Sequence, residues 1–349
     1  MRDASIERRK RAHLDLCANG DVEHAEKTTL FEEVDLVHDS LSELDLDDVD
    51  LSIEFLGRRL RAPFLITGMT GGTGEAATVN RDLARLAEQH GIGFGLGSQR
   101  AMLRRPELVS TYSVRREAPT TLVLANLGLN QAAETPLPSL DRLVEAVGAD
   151  ALCLHLNPAQ ELVQKEGDRK FSGGLKALKR IAAEIRFPLI VKETGCGISA
   201  KVASQLEQAG IRTVDVSGAG GTSWVRVEDL RGDSRSHALG ELFRDWGIPT
   251  AASLVQLRGS RLSRIASGGI RNALDAAKAL ALGAELCGFA LPVFRAYRSG
   301  GVEAASAFLG ETIEGLRVAM ILTGSRTVAE LRRQPVVLGP RLERWAQKE

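Results

Sequence analysis

An α/β fold of the (β/α)8 TIM-barrel type, with an N-terminal extension, is what the sequence predicts, and three observations support it. Eight short apolar runs alternate with helical patterns over roughly 250 residues, the usual size of such a barrel. The runs are continuously apolar, as expected of parallel strands that are buried on both faces. Several helical patterns end on a glycine, as at Gly91, Gly210 and Gly283, where a left-handed cap residue is favoured.

The predicted strands occupy residues 64–68, 92–96, 121–125, 151–155, 189–192, 213–217, 264–267 and 285–290. Helical patterns between them include residues 76–90, 175–185, 201–209 and 273–282. We interpret residues 249–254 as part of a helix rather than a ninth strand, because the run is rich in alanine and continues into a helical pattern. A doubly wound open sheet is the alternative fold, since periodicity does not separate the two.

Composition excludes several classes of protein. The chain has 349 residues and a formal net charge of zero, which argues against nucleic acid as a partner. No run approaches the roughly 18 apolar residues of a membrane span, and the N-terminus has no apolar signal region, so we expect no membrane association and no secretion. The four cysteines show neither metal-ligand nor CxxC spacing, which favours a reduced, cytoplasmic setting.

Residues 1–62 form the predicted N-terminal extension, and residues 63–349 form the predicted barrel. The first 20 residues are basic with a helical pattern, for which a solvated charged terminus is the alternative interpretation. Residues 28–51 predict loops and short elements. Residues 50–60 alternate like a strand and predict one arm of a hairpin.

Apolar residues at the end of the basic segment, Leu14, Leu16 and Cys17, are able to dock it onto the barrel. Arg9, Lys10 and His13 would then close over an anion.

Residues 152–161 join an apolar strand to a polar end. His155 and Asn157 alternate and would share one face of a strand, which Pro158 ends. Gln160 and Glu161 follow in the loop beyond. Because parallel α/β proteins build active sites at the carboxyl ends of their strands, we expect a site here. A polar loop with a hydrogen-bonded core histidine is the alternative.

The carboxyl ends of all eight predicted strands carry glycine or small polar residues, and the amino ends show no such pattern. This difference indicates one composite site at the carboxyl ends. The Gly268-Gly269 pair precedes a helix starting at Asn272, and such glycines with a helix N-terminus bind phosphate. A tight turn between strand and helix is the alternative. Lys192, at the end of an inner strand, is costly to bury without a partner and predicts an anionic cofactor or substrate group nearby. A structural ion pair is the alternative.

Glu161 is the candidate metal ligand, because a single carboxylate together with substrate phosphates is a usual arrangement around Mg²⁺. An acid stabilised by the helix dipole is the alternative interpretation. Arg100 offers a planar fork that suits phosphate.

Eight motifs then occur in a characteristic order: RKRAH (9–13), ITGMTGG (66–72), GLGSQR (95–100), LHLNPAQE (154–161), VKETGCGIS (191–199), VDVSGAGGTSW (214–224), SGGIRN (267–272) and LTGSRTVAEL (322–331). Together they resemble the type 2 isopentenyl-diphosphate isomerases nearly from end to end. The resemblance implies a barrel enzyme of isoprenoid biosynthesis that depends on FMN and Mg²⁺. It would interconvert isopentenyl diphosphate and dimethylallyl diphosphate, with NADPH or a similar donor keeping the flavin reduced. We also expect a homo-oligomer, a tetramer or an octamer.

The resemblance implies a set of FMN contacts. The flavin phosphate would lie on Gly268, Gly269, Ile270 and Arg271, with Ala290 and Leu291 beside it. The ring and ribityl chain would meet Thr67, Gly68, Met69, Thr70, Ser98, Asn126, Lys192, Ser217 and Thr222.

The resemblance also implies roles toward the substrate. Contacts with the diphosphate and hydrocarbon are expected from Arg9, Lys10, His13, Ser98, Gln99, Arg100, Gln160 and Trp224. The predicted catalytic residues are Gln160, His155 and Asn157, and Glu161 would hold Mg²⁺.

Two related chemistries are disfavoured by single residues. Flavin-dependent 2-hydroxy-acid oxidases have a similar architecture but carry a catalytic histidine where this chain has Ala219. Barrels similar to IMP dehydrogenase need a nucleophilic cysteine, whereas Cys196 fits a small residue in a tight turn. A flavin oxidoreductase and a non-catalytic barrel that binds a phosphate ligand stay as competing hypotheses.

A 1,3-allylic proton shift on an unactivated alkene needs a strong acid and a dry pocket. The predicted strand ends offer no acid–base pair of side chains. Their composition therefore suits a mechanism in which reduced flavin is the acid and base.

Overall fold

The structure of the chain, a computed structural model, describes residues 2–232 and 234–347, and of residues 2–9 and 234 it describes only the backbone. The strands are β1 (Val34–Leu36), β2 (Ile53–Phe55), β3 (Arg58–Leu60), β4 (Phe64–Ile66), β5 (Gly93–Gly95), β6 (Val123–Gly128), β7 (Ala151–His155), β8 (Leu189–Lys192), β9 (Thr213–Asp215), β10 (Ser263–Ala266), β11 (Leu286–Phe289) and β12 (Val336–Leu338).

The α-helices are α1 (Arg2–Asn19), α2 (Gly74–His90), α3 (Arg100–Arg104), α4 (Leu129–Glu134), α5 (Leu137–Ala146), α6 (Pro158–Val163), α7 (Gly174–Glu184), α8 (Ala200–Gln208), α9 (Trp224–Arg231), α10 (Ser234–Phe243), α11 (Thr250–Gln256), α12 (Ala273–Ala281), α13 (Leu291–Ile321), α14 (Val328–Leu331) and α15 (Pro340–Ala346). Short 3-10 helices cover Phe31–Glu33, Leu46–Asp48 and Pro106–Thr111.

Strands β4 to β11 close into a parallel barrel in chain order, with β11 paired to β4. The (β/α)8 prediction is therefore confirmed, and the open-sheet alternative is wrong because β11 returns to β4. Each of the eight predicted strands corresponds to one barrel strand. The run at 249–254 falls almost entirely within α11, as its alanine content indicated.

Side-chain hydroxyls and amides fix where the barrel helices begin. Thr73 accepts a hydrogen bond from the backbone N–H of Ala76 at the start of α2, and Ser199 caps α8 in the same way. Such N-caps satisfy a donor that has no partner within the helix. Helix α2 ends on Gly91, whose φ of 67° is the left-handed conformation that glycine adopts without a Cβ penalty.

The barrel interior is apolar at the amino ends of its strands. The buried cluster there contains Leu65, Leu122, Leu124, Ala151, Cys153, Ile190, Ile265 and Leu286. Phe55 and Leu60 join the same cluster from the β2–β3 hairpin, which closes that end of the barrel. Residues 50–60 were predicted to supply one arm of a hairpin. They supply both, because Leu56 and Gly57 adopt positive φ values of 49° and 76° and turn the chain within two residues.

The N-terminal extension packs on the barrel at several places. Strand β1 pairs antiparallel with β12 near the C-terminus, with Val34 opposite Leu338. Phe31 and Val34 are buried in the main core. Leu14 of α1 is buried as well, so the basic N-terminal segment docks through its apolar end. None of the helices within 2–232 and 234–347 has the length and hydropathy that crossing a bilayer requires.

Gly68 follows β4 where it crosses the end of β5. A Cβ atom at this position would overlap the backbone carbonyl of Leu96, which has no freedom to move aside. We therefore expect Gly68→Ala to lower the free energy of unfolding by roughly 3 kcal/mol, as overpacking does. Urea denaturation measures the change.

Gly74→Ala is the matched control, because nothing lies within 4 Å of a Cβ at that position. That variant should be as stable as the parent or gain up to about 1 kcal/mol. Equal stability of the two variants would contradict the steric argument.

Candidate active site

One cleft opens at the carboxyl ends of the barrel strands and has an empty volume of about 1560 Å³, including space open to solvent. Every barrel strand end contributes to its lining, and α1 covers part of it. The lining residues are Lys10, His13, Leu14, Cys17, Thr67, Gly68, Met69, Thr70, Ser98, Arg100, Asn126, Gln131, His155, Asn157, Gln160, Glu161, Gln164, Lys192, Thr194, Gly195, Ser217, Thr222, Trp224, Ser267, Gly268, Gly269, Arg271, Gly288, Ala290, Leu291 and Phe294.

Polar side chains line the barrel two residues after its inner apolar layer. Asn126 follows Leu124, His155 follows Cys153, Lys192 follows Ile190 and Ser267 follows Ile265. Because alternate residues of a strand share a face, each strand carries an apolar side chain below and a polar one above.

Lys192 has a carboxylate partner on the next strand. Its Nζ lies 3.5 Å from Oδ2 of buried Asp215 and donates to the carbonyl of Glu193 at 2.7 Å. Asp215 also accepts from the Ser267 hydroxyl at 2.6 Å. The ammonium group of Lys192 is therefore paired with a buried carboxylate. Its side chain still lines the cleft.

His155 is held in one neutral form. The amide nitrogen of Asn126 donates to the carbonyl of Leu96 at 3.0 Å, which directs its Oδ1 toward His155 Nδ1 at 2.9 Å. Nδ1 therefore carries the proton, and Nε2 is an acceptor. Burial, together with the charges of Lys192 and Arg100, lowers the pKa of His155 to about 3. The ring is consequently uncharged at neutral pH.

Residues 157–161 form a small hydrogen-bonded group at the start of α6. The Asn157 amide donates to Gln160 Oε1 at 3.2 Å and to Glu161 Oε1 at 3.1 Å. Glu161 Oε2 accepts from the backbone N–H of Asp168 at 2.6 Å. Each carboxylate oxygen accepts one of these bonds and keeps a lone pair. Glu161 thus suits a hard cation, although its side chain is largely buried.

Helix α1 brings Lys10 into the cleft. Its ammonium group bonds the carbonyl of Gly71 and lies 2.7 Å from the hydroxyl of Tyr112, which itself donates to Ser98 O at 3.0 Å. Arg100 lies across the same region, with Nη2 3.9 Å from Asp168. Its Nε is buried without a hydrogen-bond partner in the structure. A guanidinium donor in that state suits an incoming anion.

Glu228 of α9 is the central site residue that the sequence reasoning missed. Its Oε1 lies 3.0 Å from His13 Nε2 and accepts from the Gln160 amide at 3.0 Å. Its Oε2 accepts from Arg231 at 2.8 Å. Trp224 lies one helical turn earlier and packs edge-on against His13, with ring centroids 5.2 Å apart. The i, i+4 spacing from Trp224 was the available signal.

The pKa of Glu228 falls to about 2 as the balance of opposing effects. Burial raises it, but the hydrogen bond and charge of His13, with Arg231 and Gln160, outweigh the burial. The carboxylate is therefore charged at every working pH and holds Gln160 and α1 in place.

The glycines after β10 form a cradle of free backbone donors. Gly268 and Gly269 have φ values of 93° and 74°, which disfavour any other residue. Among the described residues, no acceptor bonds the N–H groups of Gly268, Gly269 or Ile270. Helix α12 begins directly beyond, with Asn272 capping Asp275 N at 2.9 Å. Free N–H groups beside a helix N-terminus are a phosphate-binding arrangement.

The structure brings nearly all predicted site residues to this cleft, with three exceptions. The side chain of Arg9 lies outside the described residues. Gln99 does not line the cleft: it is fully buried, and its Oε1 accepts from the backbone N–H of Asn126 at 2.9 Å, so the side chain joins two strands. Ile270 also points into the core and offers only its backbone to the cleft.

Ala219 and Cys196, the two residues that disfavour oxidase and cysteine chemistry, have the environments that the sequence predicted. Ala219 is fully buried and supplies no base. Cys196 sits in a tight turn between Gly195 and Gly197, both with positive φ, and its N–H bonds the Glu193 carboxylate. Burial, with the Glu193 charge, raises the pKa of the Cys196 thiol, so it stays protonated.

One other cluster of ligand-type side chains stands out in the described part of the chain. Asp229, His237 and Glu241 have ligand atoms within 4.8 Å of one another. The guanidinium of Arg226 bonds both carboxylates and fills the place of a cation. None of these residues lines the cleft.

The sequence profile of FMN-dependent dehydrogenase matches residues 3–156 and 129–338, which places the closed barrel and its cleft in that class. A mandelate oxidase variant with an FMN adduct superposes with a TM-score of 0.64 at 19% identity, covering 95% of this chain and 99% of that one. A flavocytochrome b2 variant with benzoylformate superposes with a TM-score of 0.68 at 18% identity, covering 94% and 82%. Likeness at this identity shows the fold alone.

Curated relatives narrow the class. The isopentenyl-diphosphate delta-isomerase of Methanothermobacter thermautotrophicus is 46% identical over 97% of this chain and 95% of its own length. Those of Pyrococcus furiosus and Methanosarcina mazei are 45% and 46% identical, over 97% and 95% of this chain and 89% and 92% of their own lengths. The chain belongs to the isopentenyl-diphosphate delta-isomerase family, in its FMN-dependent type 2 form.

The lowered pKa of Glu228 makes a prediction about acid stability. Since the folded pKa lies below that of the free carboxyl, 4.5, the stabilisation is complete above pH 4.5 and is lost as the pH falls toward 2. Between pH 6 and pH 3, Glu228→Gln should lose less stability than the parent, by about 2 kcal/mol. Urea titrations at both pH values measure the difference.

Glu314→Gln is the control, because that carboxylate is exposed and its one ion pair in the described part of the chain is with Arg317 at 3.7 Å. Its loss of stability between pH 6 and pH 3 should equal that of the parent. An identical acid response of the two variants would contradict the assigned network.

Proposed function

We propose that this chain interconverts isopentenyl diphosphate and dimethylallyl diphosphate by a 1,3-allylic proton shift in isoprenoid biosynthesis. One observation supports the proposal: a single cleft is lined by two groups of residues suited to anions. The glycine cradle follows β10, whereas Arg100 and Glu161 follow β5 and β7 on the other side of the barrel, where Lys10 also reaches the carbonyl of Ser98. A phosphorylated cofactor and a diphosphate substrate would need this arrangement, and the curated relatives at 44–46% identity carry the name of that activity.

The cradle fits the phosphate of FMN. The free N–H groups of residues 268–270 would hold it, with Arg271, Ala290 and Leu291 beside them. The ring and ribityl chain would contact Thr67–Thr70, Ser98, Asn126, Lys192, Ser217 and Thr222. Reduced FMN, when bound, supplies the acid and base of the proton shift.

The other end of the cleft fits a diphosphate. Lys10 and Arg100 bring two positive charges, and the free Nε of Arg100 offers a donor. Glu161 would hold Mg²⁺ against the diphosphate, with water completing the coordination. This clamp would fix the distance between the alkene and the cofactor.

Other side chains of the cleft would contact the hydrocarbon of the substrate. Gln160, tied to Glu228 and Asn157, would lie near the hydrocarbon. Trp224 and His13 form an aromatic wall. His155 stays neutral because burial and two neighbouring cations lower its pKa. A neutral imidazole at this position would not compete with the cofactor as the proton donor.

The reaction adds one proton to the terminal carbon of the alkene and removes one from the carbon two bonds away, so no electron is transferred overall. NADPH would therefore keep the flavin reduced without stoichiometric consumption. The cytoplasm is the proposed location, which the free thiols of Cys17, Cys153, Cys196 and Cys287 support. A homo-oligomer is also proposed, and light scattering of the purified protein tests it.

A flavin-dependent oxidoreductase is the second candidate, because the matching profile carries the name of dehydrogenases. Against it stands Ala219, which supplies no base. Net redox turnover distinguishes the two functions.

The decisive assay supplies isopentenyl diphosphate, FMN, NADPH and Mg²⁺ under anaerobic conditions. We expect dimethylallyl diphosphate to form while the NADPH concentration stays constant. Product formation coupled one-to-one to NADPH oxidation, or no isomer at all, would overturn the proposal. Purified protein without a flavin spectrum and without affinity for FMN would favour a non-catalytic barrel.

Glu161→Gln tests the metal site. The amide keeps the size of the side chain but loses the charge that Mg²⁺ requires, so the Mg²⁺ concentration for half-maximal turnover should rise at least about tenfold. FMN should stay bound, as its absorbance will show. Glu166→Gln is the control, because that partly exposed carboxylate pairs with Arg231 and does not line the cleft. Unchanged Mg²⁺ dependence of Glu161→Gln would remove Glu161 as the ligand.

A further inference from the structure

Glu23, in the segment after α1, binds two arginines at the edge of the glycine cradle. Its Oε1 accepts hydrogen bonds from Nε of Arg271 at 3.1 Å and from Nη2 of the same residue. Its Oε2 lies 3.3 Å from Nη1 of Arg295. One carboxylate therefore holds together two guanidinium groups that would repel each other, and the group keeps a net positive charge.

Arg271 is the member of this group that lines the cleft. Its backbone N–H is taken by Asp275 at 3.0 Å, so its side chain is what it can offer an anion. Glu23 occupies the edge formed by Nε and Nη2, which fixes the plane of the guanidinium. Within residues 2–232 and 234–347, the remaining nitrogen Nη1 makes one hydrogen bond, to the carbonyl of Ile270 at 3.3 Å. A planar fork that is fixed along one edge is pre-organised for an anion along the other.

Arg295 connects the same carboxylate to α1. Its Nη2 donates to the carbonyl of Gly20 at 2.8 Å and its Nε to that of Cys17 at 3.1 Å. These are carbonyls at the C-terminal end of the helix, where cations and donors are favoured. Helix α1 carries Lys10 and His13 into the other end of the cleft.

Main-chain contacts hold Glu23 in place. Ser223 N donates to Val22 O at 2.8 Å, and His24 N donates to Gly221 O at 3.0 Å. Gly221 packs against Gly269 so closely that a Cβ on it would overlap the backbone of the cradle. The segment carrying Glu23 is therefore attached to the loop that supports the cradle.

We infer that Glu23 is a positioning residue: it aims Arg271 at the cofactor phosphate and, through Arg295, couples a filled cradle to the placement of α1 over the substrate end. The inference rests on the proposed function in taking FMN as the ligand whose phosphate fills the cradle. Glu23 itself does not line the cleft and touches no reacting atom.

The first experiment compares FMN with riboflavin, which has the same ring and ribityl chain but no phosphate. Flavin-free protein is titrated with each ligand, and the flavin fluorescence gives the dissociation constant. Glu23→Gln should weaken FMN binding about tenfold, as expected when a charge-assisted contact is lost, and leave riboflavin binding within about twofold. Glu23→Asp, which keeps the charge on a shorter side chain, should fall between Glu23→Gln and the parent.

Asp21→Asn is the matched control. Asp21 lies two residues earlier in the same segment and pairs at the surface with Arg244 at 2.9 Å, with 75% of its side chain exposed. Its affinity for both flavins should equal that of the parent. Riboflavin binding also reports whether each variant is folded.

Equal weakening of FMN and riboflavin in Glu23→Gln would show a general structural defect and overturn the inference, as would an unchanged affinity for FMN. Parent protein that binds neither flavin would overturn the proposed function as well. Normal binding of FMN by the parent, with no phosphate-specific loss in Glu23→Gln, overturns the inference alone.

Hydrogen exchange tests the coupling to α1. In the parent protein, saturating FMN should slow exchange of the backbone amides in the last two turns of α1 more than saturating riboflavin does. In Glu23→Gln the two flavins should give equal protection, because Arg271 and Arg295 no longer share a carboxylate. A persisting difference between FMN and riboflavin in that variant would overturn the coupling.

Discussion

The alternation of side chains along the barrel strands is the constraint on which the rest of this molecule depends. Inward positions are apolar near the amino ends, where the β2–β3 hairpin closes the barrel. Two residues later the same face carries Asn126, His155, Lys192 and Ser267. Since a strand repeats every two residues, the apolar layer that stabilises the barrel also fixes the height of the polar layer above it. The part of the site that these strands carry therefore stands on a packed base.

Two of the buried charges near the cleft have charged partners on other elements. Lys192 faces Asp215, and Glu228 is surrounded by His13, Gln160 and Arg231. Buried ions without partners would cost several kcal/mol each, so these pairs are a condition for placing charge at this depth. Burial, together with the charges of Lys192 and Arg100, leaves His155 neutral. Two of these groups come from elements far apart in the chain, since His13 belongs to the N-terminal extension and Glu228 to α9.

Local signals in the sequence predicted much of the fold and most of the candidate residues that line the cleft. Continuous apolar runs marked the eight strands, and Gly268-Gly269 before Asn272 marked the cradle, because free N–H groups there need residues without a Cβ. Gln99 was misjudged: next to Ser98 and Arg100 it looks like a ligand, but its side chain turns inward and bonds the backbone of Asn126. Contacts with the neighbouring strand decide which side chains of a loop face the cleft, and local sequence does not reveal those contacts.

By itself, the sequence determined the barrel, the face that carries the site and the resemblance to one isomerase family, because periodicity, glycine positions and ordered motifs are properties of short segments. Tertiary structure alone decided the pairings over long sequence separations. It joined Glu228 to His13, Lys192 to Asp215, and Glu23 to both Arg271 and Arg295. The physical reason is that a charged side chain finds its partner only when the barrel has closed, since the partners lie on elements that no local pattern links.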